Sequence, residues 1–437
     1  MNLFIVIMRF FIGMIVAISN GFTSFINFLI DRHNQKVVKE NNRIKRGVVE
    51  AAQQSCDEVF SDGCFRNSII SGSEPFVRAK LIAAAVKNSD ASCLPTIIIH
   101  SSNQYIETEI KSLLGNSVIT INRANAYFDP FNYQNPDTII NTILSTLKEK
   151  YNANDNIKYC IRGIVKCLVA AGRTPSFMAF KKCPRVRVLN SKVDNLLSQG
   201  AISDTVADDI KYELGKGQDE FDKLESYFSD LSDQMSDISN FSSGNNSYDV
   251  FKAANSQRIL IIDIGSSEND LLIDIIINQI KTFCRHNRVS VIFDDITVYQ
   301  NNTPLKKFLC DNNKKCYTMF SSSDIYASLC GDGQLFNTIV GLSQKNLIMQ
   351  HHSAQSAEVW SKTIGYYDKT ESNITYTRGK TRGGISLFPS YNTNEAVSYT
   401  EKREEIVKGK EITDMQNNEL YVYDRLLQNQ LTHTYIL

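Results

Sequence analysis

The sequence predicts an α/β protein with a mostly parallel sheet, an inserted all-α domain and an N-terminal membrane helix. Three observations lead to this fold class. Short β-branched segments alternate with helical ones, which is typical of parallel βαβ units. The alternation stops at residue 138, where only helical spacing follows, and it resumes after residue 240. The first thirty residues are mostly apolar.

The apolar N-terminal segment covers residues 3–30, and Arg9 is its only charged residue. A helix of about 20 apolar residues can span a bilayer. Residues 31–46 carry six Lys or Arg against two acidic residues, and basic flanks stay on the cytoplasmic side. We therefore expect a membrane anchor over 1–31 and a basic linker helix over 32–59. The expected protein crosses the inner or plasma membrane once, with its bulk in the cytoplasm.

An interfacial helix is the alternative to a spanning one. Polar residues interrupt the apolar segment, among them Ser19, Asn20, Thr23 and Asn27. A cleaved signal is disfavoured because no small-residue cleavage site precedes a disulfide-type domain.

The first strand, turn and helix lie in residues 65–86. Ile69 and Ile70 lead into a turn at Gly72 and Ser73, and a helical segment follows Pro75. This is the layout of a phosphate loop, whose pattern is G-x-x-x-x-G-K-[ST]. The candidate cofactor-binding residues are Gly72, Ser73, Val77, Arg78, Ala79 and Lys80. An ordinary strand–turn–helix unit is the alternative interpretation.

Three positions of this turn depart from the phosphate-loop pattern. Val77 stands where the second glycine would let the backbone approach phosphate. Arg78 replaces the lysine and substitutes a planar fork for a compact ammonium group. Ala79 lacks the hydroxyl group that usually binds magnesium. The sequence therefore predicts weak or absent binding of ATP and Mg²⁺, and it leaves enzymatic activity open.

A second candidate site follows a later strand, VIFDDI, in which Asp294 and Asp295 come after three apolar residues. Phosphate-loop ATPases place an aspartate at this point to help hold magnesium. Both aspartates are candidate catalytic residues, and Asp294 is the candidate metal ligand. Two acidic residues that merely end a strand are the alternative.

The remaining pattern divides the chain into domains. Residues 60–137 form the first part of a nucleotide-binding-type α/β domain, residues 138–240 an inserted all-α domain, and residues 241–437 the second part of the α/β domain. Within the last part, short strands are predicted at 337–340 and 346–350, and a polar hairpin at 374–399.

Composition excludes several other classes of protein. The chain has 47 basic and 47 acidic residues, so overall charge gives no case for nucleic-acid binding. Ten cysteines without a C-x-x-C pair indicate reduced thiols and no disulfide or zinc framework.

The order of these segments resembles the TraG/TraD-type coupling proteins of conjugation and type IV secretion, which are FtsK/HerA-like P-loop ATPases. The resemblance rests on the Gly72 turn, on IIIHSSN, FDPFN and LLIDIIINQI with VIFDDI, and on the segments AEVWSKTIGYY and REEIVKGKEI. It implies a RecA-like sheet and a homo-oligomeric ring. The implied partners are secretion-channel proteins, a relaxase or other substrate, and DNA.

The chain departs from that family at two further places. Ser321, Ser322 and Ser323 stand where the family has a glutamine, and Asp295 stands in place of a glutamate. The first functional hypothesis is a membrane-anchored ATPase component, with weakened activity, that moves or recruits DNA or protein–DNA substrate to a secretion channel. The alternatives are a non-catalytic pseudo-ATPase adaptor or scaffold at the membrane, and an unrelated membrane-bound structural protein.

Overall fold

A computed structural model describes residues 2–61, 66–122, 127–131, 135–183, 185–238, 247–256, 259–265, 269–285, 287–298, 303–311, 315–381, 390–427 and 430–436. Two compact units are found. One contains residues 1–50 and 358–411, and the other contains residues 51–357 and 412–437. The domain boundary predicted at residue 240 lies outside the described residues.

The helices and strands are numbered in chain order. The strands are β1 (Val48–Glu50), β2 (Ser68–Ser71), β3 (Thr96–His100), β4 (Val118–Ile121), β5 (Tyr127–Phe128), β6 (Ser247–Tyr248), β7 (Ile259–Asp263), β8 (Val289–Asp294), β9 (Cys316–Ser322), β10 (Lys345–Ile348), β11 (Tyr366–Thr381), β12 (Ser390–Glu405), β13 (Glu419–Asp424) and β14 (Gln430–Tyr435). The helices are α1 (Asn2–Arg46), α2 (Cys56–Val59), α3 (Pro75–Asp90), α4 (Gln104–Leu114), α5 (Pro136–Tyr151), α6 (Ile157–Ala170), α7 (Phe177–Lys181), α8 (Val186–Ser198), α9 (Asp204–Lys216), α10 (Phe221–Ile238), α11 (Val250–Asn255), α12 (Asp270–Phe283), α13 (Thr303–Cys310), α14 (Ile325–Ser328), α15 (Gly333–Leu342), α16 (Ala354–Ile364) and α17 (Gly409–Thr413).

The second unit is built on a mostly parallel sheet. Its strand order is β14-β13-β10-β2-β9-β8-β3-β7-β4. Strands β10 to β4 run parallel, and β13 and β14 add two antiparallel strands at one side. The central strands are buried along their length, as expected for parallel strands that are covered on both faces. This confirms the α/β, RecA-like fold class.

The strand order places the two candidate sites at one edge of the sheet. Strand β9 lies between β2, which leads into the Gly72 turn, and β8, which ends at Asp294. Because these strands are parallel, their carboxyl ends meet at the same edge. Ligands of open α/β sheets bind at that edge.

The segment between β5 and β6 is helical. Helices α5 to α10 fill it, and no strand occurs among its described residues from Pro136 to Ile238. An aromatic cluster joins Phe131, before α5, to Phe180 and Phe228, with ring centroids 5.2 to 5.7 Å apart. Two glycines allow close packing between α6 and α9. Gly163 of α6 lies against Leu214 of α9, and Gly217, which follows α9, lies against Cys160 of α6.

One predicted strand of this unit is wrong. Residues 337–340 belong to the helix α15, not to a strand. Asp332 caps this helix, because its side chain accepts hydrogen bonds from the backbone N–H groups of Gln334 and Leu335. A short apolar segment does not distinguish a strand from a buried helix turn, and the cap decides it here.

The first unit contains the long helix α1 and a hairpin. Among the described helices, α1 alone is long and apolar enough to cross a membrane, and none of the residues in its apolar window is buried. It continues without a break through the basic segment to Arg46. Strands β11 and β12 pair from Tyr366–Glu405 to Thr381–Ser390. This confirms the predicted hairpin and widens its bounds.

The close contact at Gly217 predicts a stability difference between two neighbouring glycines. A Cβ atom at Gly217 would overlap the backbone of Cys160, whereas one at Gly215 would meet nothing within 4 Å. We expect Gly217→Ala to lower the free energy of unfolding by about 1–3 kcal/mol through overpacking. Gly215→Ala should be neutral or stabilising by up to about 1 kcal/mol, because alanine favours a helix. Urea unfolding of both variants measures this, and equal effects would contradict the packing described.

Candidate functional site

The carboxyl edge of the sheet contains unusual backbone conformations. Three of the six described non-glycine residues with positive φ lie here: Ser73, Ser102 and Asp295 have φ values of 67°, 59° and 53°. They follow β2, β3 and β8 respectively. Left-handed backbone costs of order 1–3 kcal/mol at such residues, and it persists only where the surroundings fix it. Such residues cluster at functional sites, so this edge is the candidate site.

The turn after β2 is short, and its amides bind the protein itself. Only residues 72–74 separate β2 from α3. Gly72 has a φ of +102°, and a Cβ there would lie 2.5 Å from the carbonyl oxygen of Gln350. The Gly72 N–H donates to the Ser322 carbonyl at 3.0 Å, and the Ser73 N–H donates to the Gln350 carbonyl at 2.9 Å. Neither amide is therefore available to a phosphate.

The start of α3 offers no phosphate cradle either. Pro75 is the first helical residue and has no N–H to donate. The N–H groups of Val77 and Arg78 donate to the Glu74 carbonyl at 3.1 and 3.2 Å. A phosphate loop needs free backbone N–H groups that point at its ligand. Here the corresponding residues are already wound into the helix.

Arg78 joins the turn to the two carboxylates. Its side chain is fully buried. The Nε atom donates to Asp294 Oδ1 at 3.2 Å, and Nη2 donates to Asp295 Oδ2. The third group, Nη1, donates to the Ser73 carbonyl at 2.8 Å. The guanidinium group therefore lies between the turn and the end of β8.

Both oxygens of Asp294 have protein partners. Besides Arg78, Oδ1 accepts a hydrogen bond from the Ser321 hydroxyl at 2.6 Å. Oδ2 accepts one from the Asn103 amide Nδ2 at 2.6 Å. Asp294 is buried, and these three donors satisfy it without a metal ion. With Ala79 lacking a hydroxyl group, the residues present do not fit a magnesium–nucleotide site.

The charges of this cluster do not cancel when both carboxylates are ionised. One guanidinium group faces both Asp294 and Asp295. Burial raises the pKa of Asp295, and the nearby charge of Asp294 raises it further. Burial lowers the pKa of His100, and its Nδ1 atom accepts a hydrogen bond from the Asn103 N–H at 3.2 Å. Neutral His100 therefore does not supply the missing positive charge.

The side chains of the other candidate residues contact other parts of the protein. Ala79 is buried and Val77 packs against the core of the sheet domain. The Lys80 ammonium lies over the Phe76 ring, 4.6 Å from its centroid. The Ser73 hydroxyl donates to the Asn417 carbonyl at 2.9 Å. Within the described part of the chain, no group of three His, Cys, Asp or Glu residues could hold a metal.

Two residues of the network were not among the sequence-based candidates. Asn103 caps α4 through its side-chain oxygen, which accepts from the Tyr105 N–H, and its NH₂ group donates to Asp294. The cap could have been read from asparagine before a helical segment, but the second contact could not. Ser321 was noted only as a departure from a glutamine.

Comparison with known proteins gives similarities of structure alone. No family model and no curated protein matches the chain. Solved structures that resemble it include the bacterial conjugative coupling protein TrwBdeltaN70 in an unbound form, with 12% identity, a TM-score of 0.48, and 86% of each chain covered. The coupling protein TrwB in complex with ADP and Mg²⁺ has 12% identity and a TM-score of 0.48, with 90% of this chain and 92% of that chain covered.

A further similar structure is VirB4 of Thermoanaerobacter pseudethanolicus, with 12% identity, a TM-score of 0.44, and 85% of this chain and 89% of that chain covered. Because the identities are this low and the TM-scores lie below 0.5, these similarities do not assign a function to the chain.

The Arg78 network predicts a large cost for removing its cation. Arg78→Met keeps much of the side-chain volume but leaves Asp294 buried without its ion pair. We expect it to lower the free energy of unfolding by about 3–5 kcal/mol. The matched control is Lys87→Met, which breaks the exposed pair of Lys87 with Asp57 at 2.6 Å and should cost about 0–1 kcal/mol. Chemical unfolding gives both values, and similar losses would show that Arg78 has no special role.

Proposed function

We propose that the chain is a membrane-anchored, coupling-protein-like adaptor of conjugative DNA transfer or type IV secretion. In this proposal it recruits DNA or a protein–DNA substrate to a secretion channel without hydrolysing ATP itself. Three features support it: the long apolar N-terminal helix, the mostly parallel sheet, and the helical insertion between β5 and β6.

The position of Arg78 is the observation that supports the absence of ATP hydrolysis in this proposal. Its guanidinium group binds both candidate carboxylates and the turn carbonyl. An internal cation thus takes the place that a metal ion and phosphates would need. Phosphoryl transfer depends on positioned charge, and loss of one stabilising donor can slow catalysis about 10²–10³-fold.

A weakened ATPase is the second candidate function, because the Gly72 turn and Asp294 retain their places at the sheet edge.

The proposed location is the inner or plasma membrane, with a single crossing by α1 and the sheet domain in the cytoplasm. The basic part of α1, residues 31–46, supports this orientation. The proposed assembly is a homo-oligomeric ring that contacts channel proteins and a relaxase or other substrate.

The nucleotide site is tested by comparing the wild-type chain with the triple variant Val77→Gly, Arg78→Lys, Ala79→Thr. We expect no thermal stabilisation of the wild type by Mg-ATP. The triple variant replaces the guanidinium group that binds both carboxylates by a single ammonium group and restores a hydroxyl. It should therefore gain a weak response, since the turn amides stay bonded within the protein, and a hundredfold excess over Kd would give about 2.7 kcal/mol. Adding Asp294→Ala to the triple variant is the control and should abolish the response. ATP hydrolysis by the wild type that Asp294→Ala abolishes would instead favour the weakened ATPase.

The membrane anchor is tested by fractionation of the full-length chain. We expect it to sediment with membranes and to resist alkaline extraction, because about 20 apolar residues suffice to span a bilayer. Deletion of residues 1–31 should move the protein to the soluble fraction. Full-length protein in the soluble fraction would refute the anchor.

A further inference from the structure

Asparagine recurs along one side of the helix α1. Four of the six asparagines of this helix are spaced by seven residues, namely Asn20, Asn27, Asn34 and Asn41. Seven residues complete two helical turns less about 20°, so these side chains lie on one slowly turning stripe. The stripe extends about 32 Å along the helix axis, at about 1.5 Å per residue. It continues from the apolar segment into the basic part of the helix.

A second row of residues accompanies the asparagines with the same spacing. Three positions after each asparagine stands a β-branched residue, and the four are Thr23, Ile30, Val37 and Ile44. Residues that alternate in this way occupy the first and fourth positions of a heptad, which form the contact surface of a coiled coil. We call these two rows together, eight residues in all, the seam of α1.

The seam is accessible in the structure. Its aliphatic residues Ile30, Val37 and Ile44 are 50%, 43% and 69% exposed. Of its four asparagines, two are exposed and two are half-buried. Among the residues that the structure describes, none forms a hydrogen bond with the side chains of these asparagines. The seam therefore offers a partner both an apolar surface and a row of unpaired amides.

The hairpin β11–β12 packs beside the seam and leaves it uncovered at the basic end of α1. Asn42, which is not a seam residue, donates from Nδ2 to the Thr370 carbonyl and accepts from the Thr370 N–H at Oδ1, both at 2.8 Å. Lys45 donates to Glu401 at 2.8 Å. These contacts fix the hairpin to the helix.

A groove of about 400 Å³ lies between the helix and the hairpin. Four consecutive seam residues line it on the helix side, and Tyr399 lines it on the hairpin side; the seam residues are Asn34, Val37, Asn41 and Ile44. Tyr399 is itself 58% exposed. The lower half of the seam is thus one wall of a groove into which a second helix can pack.

The chemistry of the seam fits a second copy of the same helix. An asparagine amide has both donors and an acceptor, so two such side chains can bond each other. Asparagines form hydrogen bonds between helices in membranes, and in water an asparagine at the first heptad position fixes the register of a coiled coil. Copies that cross the membrane in the same direction present their seams in parallel, so each asparagine meets its equivalent.

We propose that the seam of α1 binds the seam of a second copy of this chain, as a parallel coiled coil held in register by pairs of asparagines. The contact rests on the proposed anchoring by α1, which gives all copies one orientation, and it is independent of the nucleotide site. It assigns a surface to the proposed homo-oligomeric assembly.

Site-specific photocross-linking of the full-length chain tests this contact. The photoreactive residue p-benzoylphenylalanine replaces one residue at a time, either Ile30 or Val37 in the seam, or Phe28 or Lys39 on the side of α1 that faces away from it. Two copies with different affinity tags are coexpressed, and the isolated membranes are irradiated. We expect cross-links between the two tags to be about fivefold stronger or more from the seam positions, because only these face the partner helix.

A double variant tests the role of the asparagines. Asn20→Leu with Asn27→Leu should lower the cross-link from Val37 by about fivefold or more, because it removes two interhelical amide pairs in the apolar segment. The matched control, Phe25→Leu with Phe28→Leu, places the same residue type on the other side of the helix and should leave the cross-link unchanged.

Other outcomes separate this contact from the anchor. Equal cross-linking from Val37 and Lys39, or none from any position, in a chain that sediments with membranes would leave the anchor in place and refute the seam. Cross-links from Val37 to other proteins only, or an asparagine variant that behaves like its control, would also refute it. Full-length protein in the soluble fraction would overturn the anchor and the contact together.

Discussion

The buried guanidinium group of Arg78 is the constraint on which the carboxyl edge of the sheet depends. It connects the turn after β2 to the end of β8. Asp294 extends the network to β9 through Ser321 and to the start of α4 through Asn103. A buried carboxylate that loses its partner is strongly destabilising, so these contacts hold one another in place. The ends of three neighbouring strands and one helix are thus fixed by a single cation.

This constraint has a direct bearing on conformational switching. In phosphate-loop enzymes, the bound phosphate and its metal ion order nearby loops and release them after hydrolysis. A side chain of the protein itself is present in every state and provides no such cycle. The strained backbone at Ser73, Ser102 and Asp295 is correspondingly held by permanent contacts. An adaptor that presents one stable surface needs no more than this, which agrees with the proposed non-catalytic role.

Much of this arrangement could be predicted from the sequence, but its central contact could not. The apolar segments before Gly72 and Asp294 are short and rich in β-branched residues, so both strands and their common sheet edge are predicted from pattern alone. The pattern also locates Arg78 at the lysine position. It also predicts the start of the helix near Pro75, but it does not show that the Arg78 side chain turns inward. The direction of a long side chain depends on the charges that surround it, and Asp295 and Asp294 are more than two hundred residues away in the chain. Local propensity also predicts the wrong element at residues 337–340. The segment resembles a strand, but Asp332 caps a helix that includes it.

The position of β2 in the middle of the sheet has a consequence for how the chain folds. Its neighbours β9 and β10 come much later in the sequence, and Ser71 contacts His351 across 280 residues. Contacts of such long range form slowly. During synthesis the N-terminal domain elements emerge first, so β2 and β3 must wait with apolar faces uncovered until the second half of the sheet appears. Chaperone protection of the nascent chain would therefore be needed most between the synthesis of α3 and that of β10.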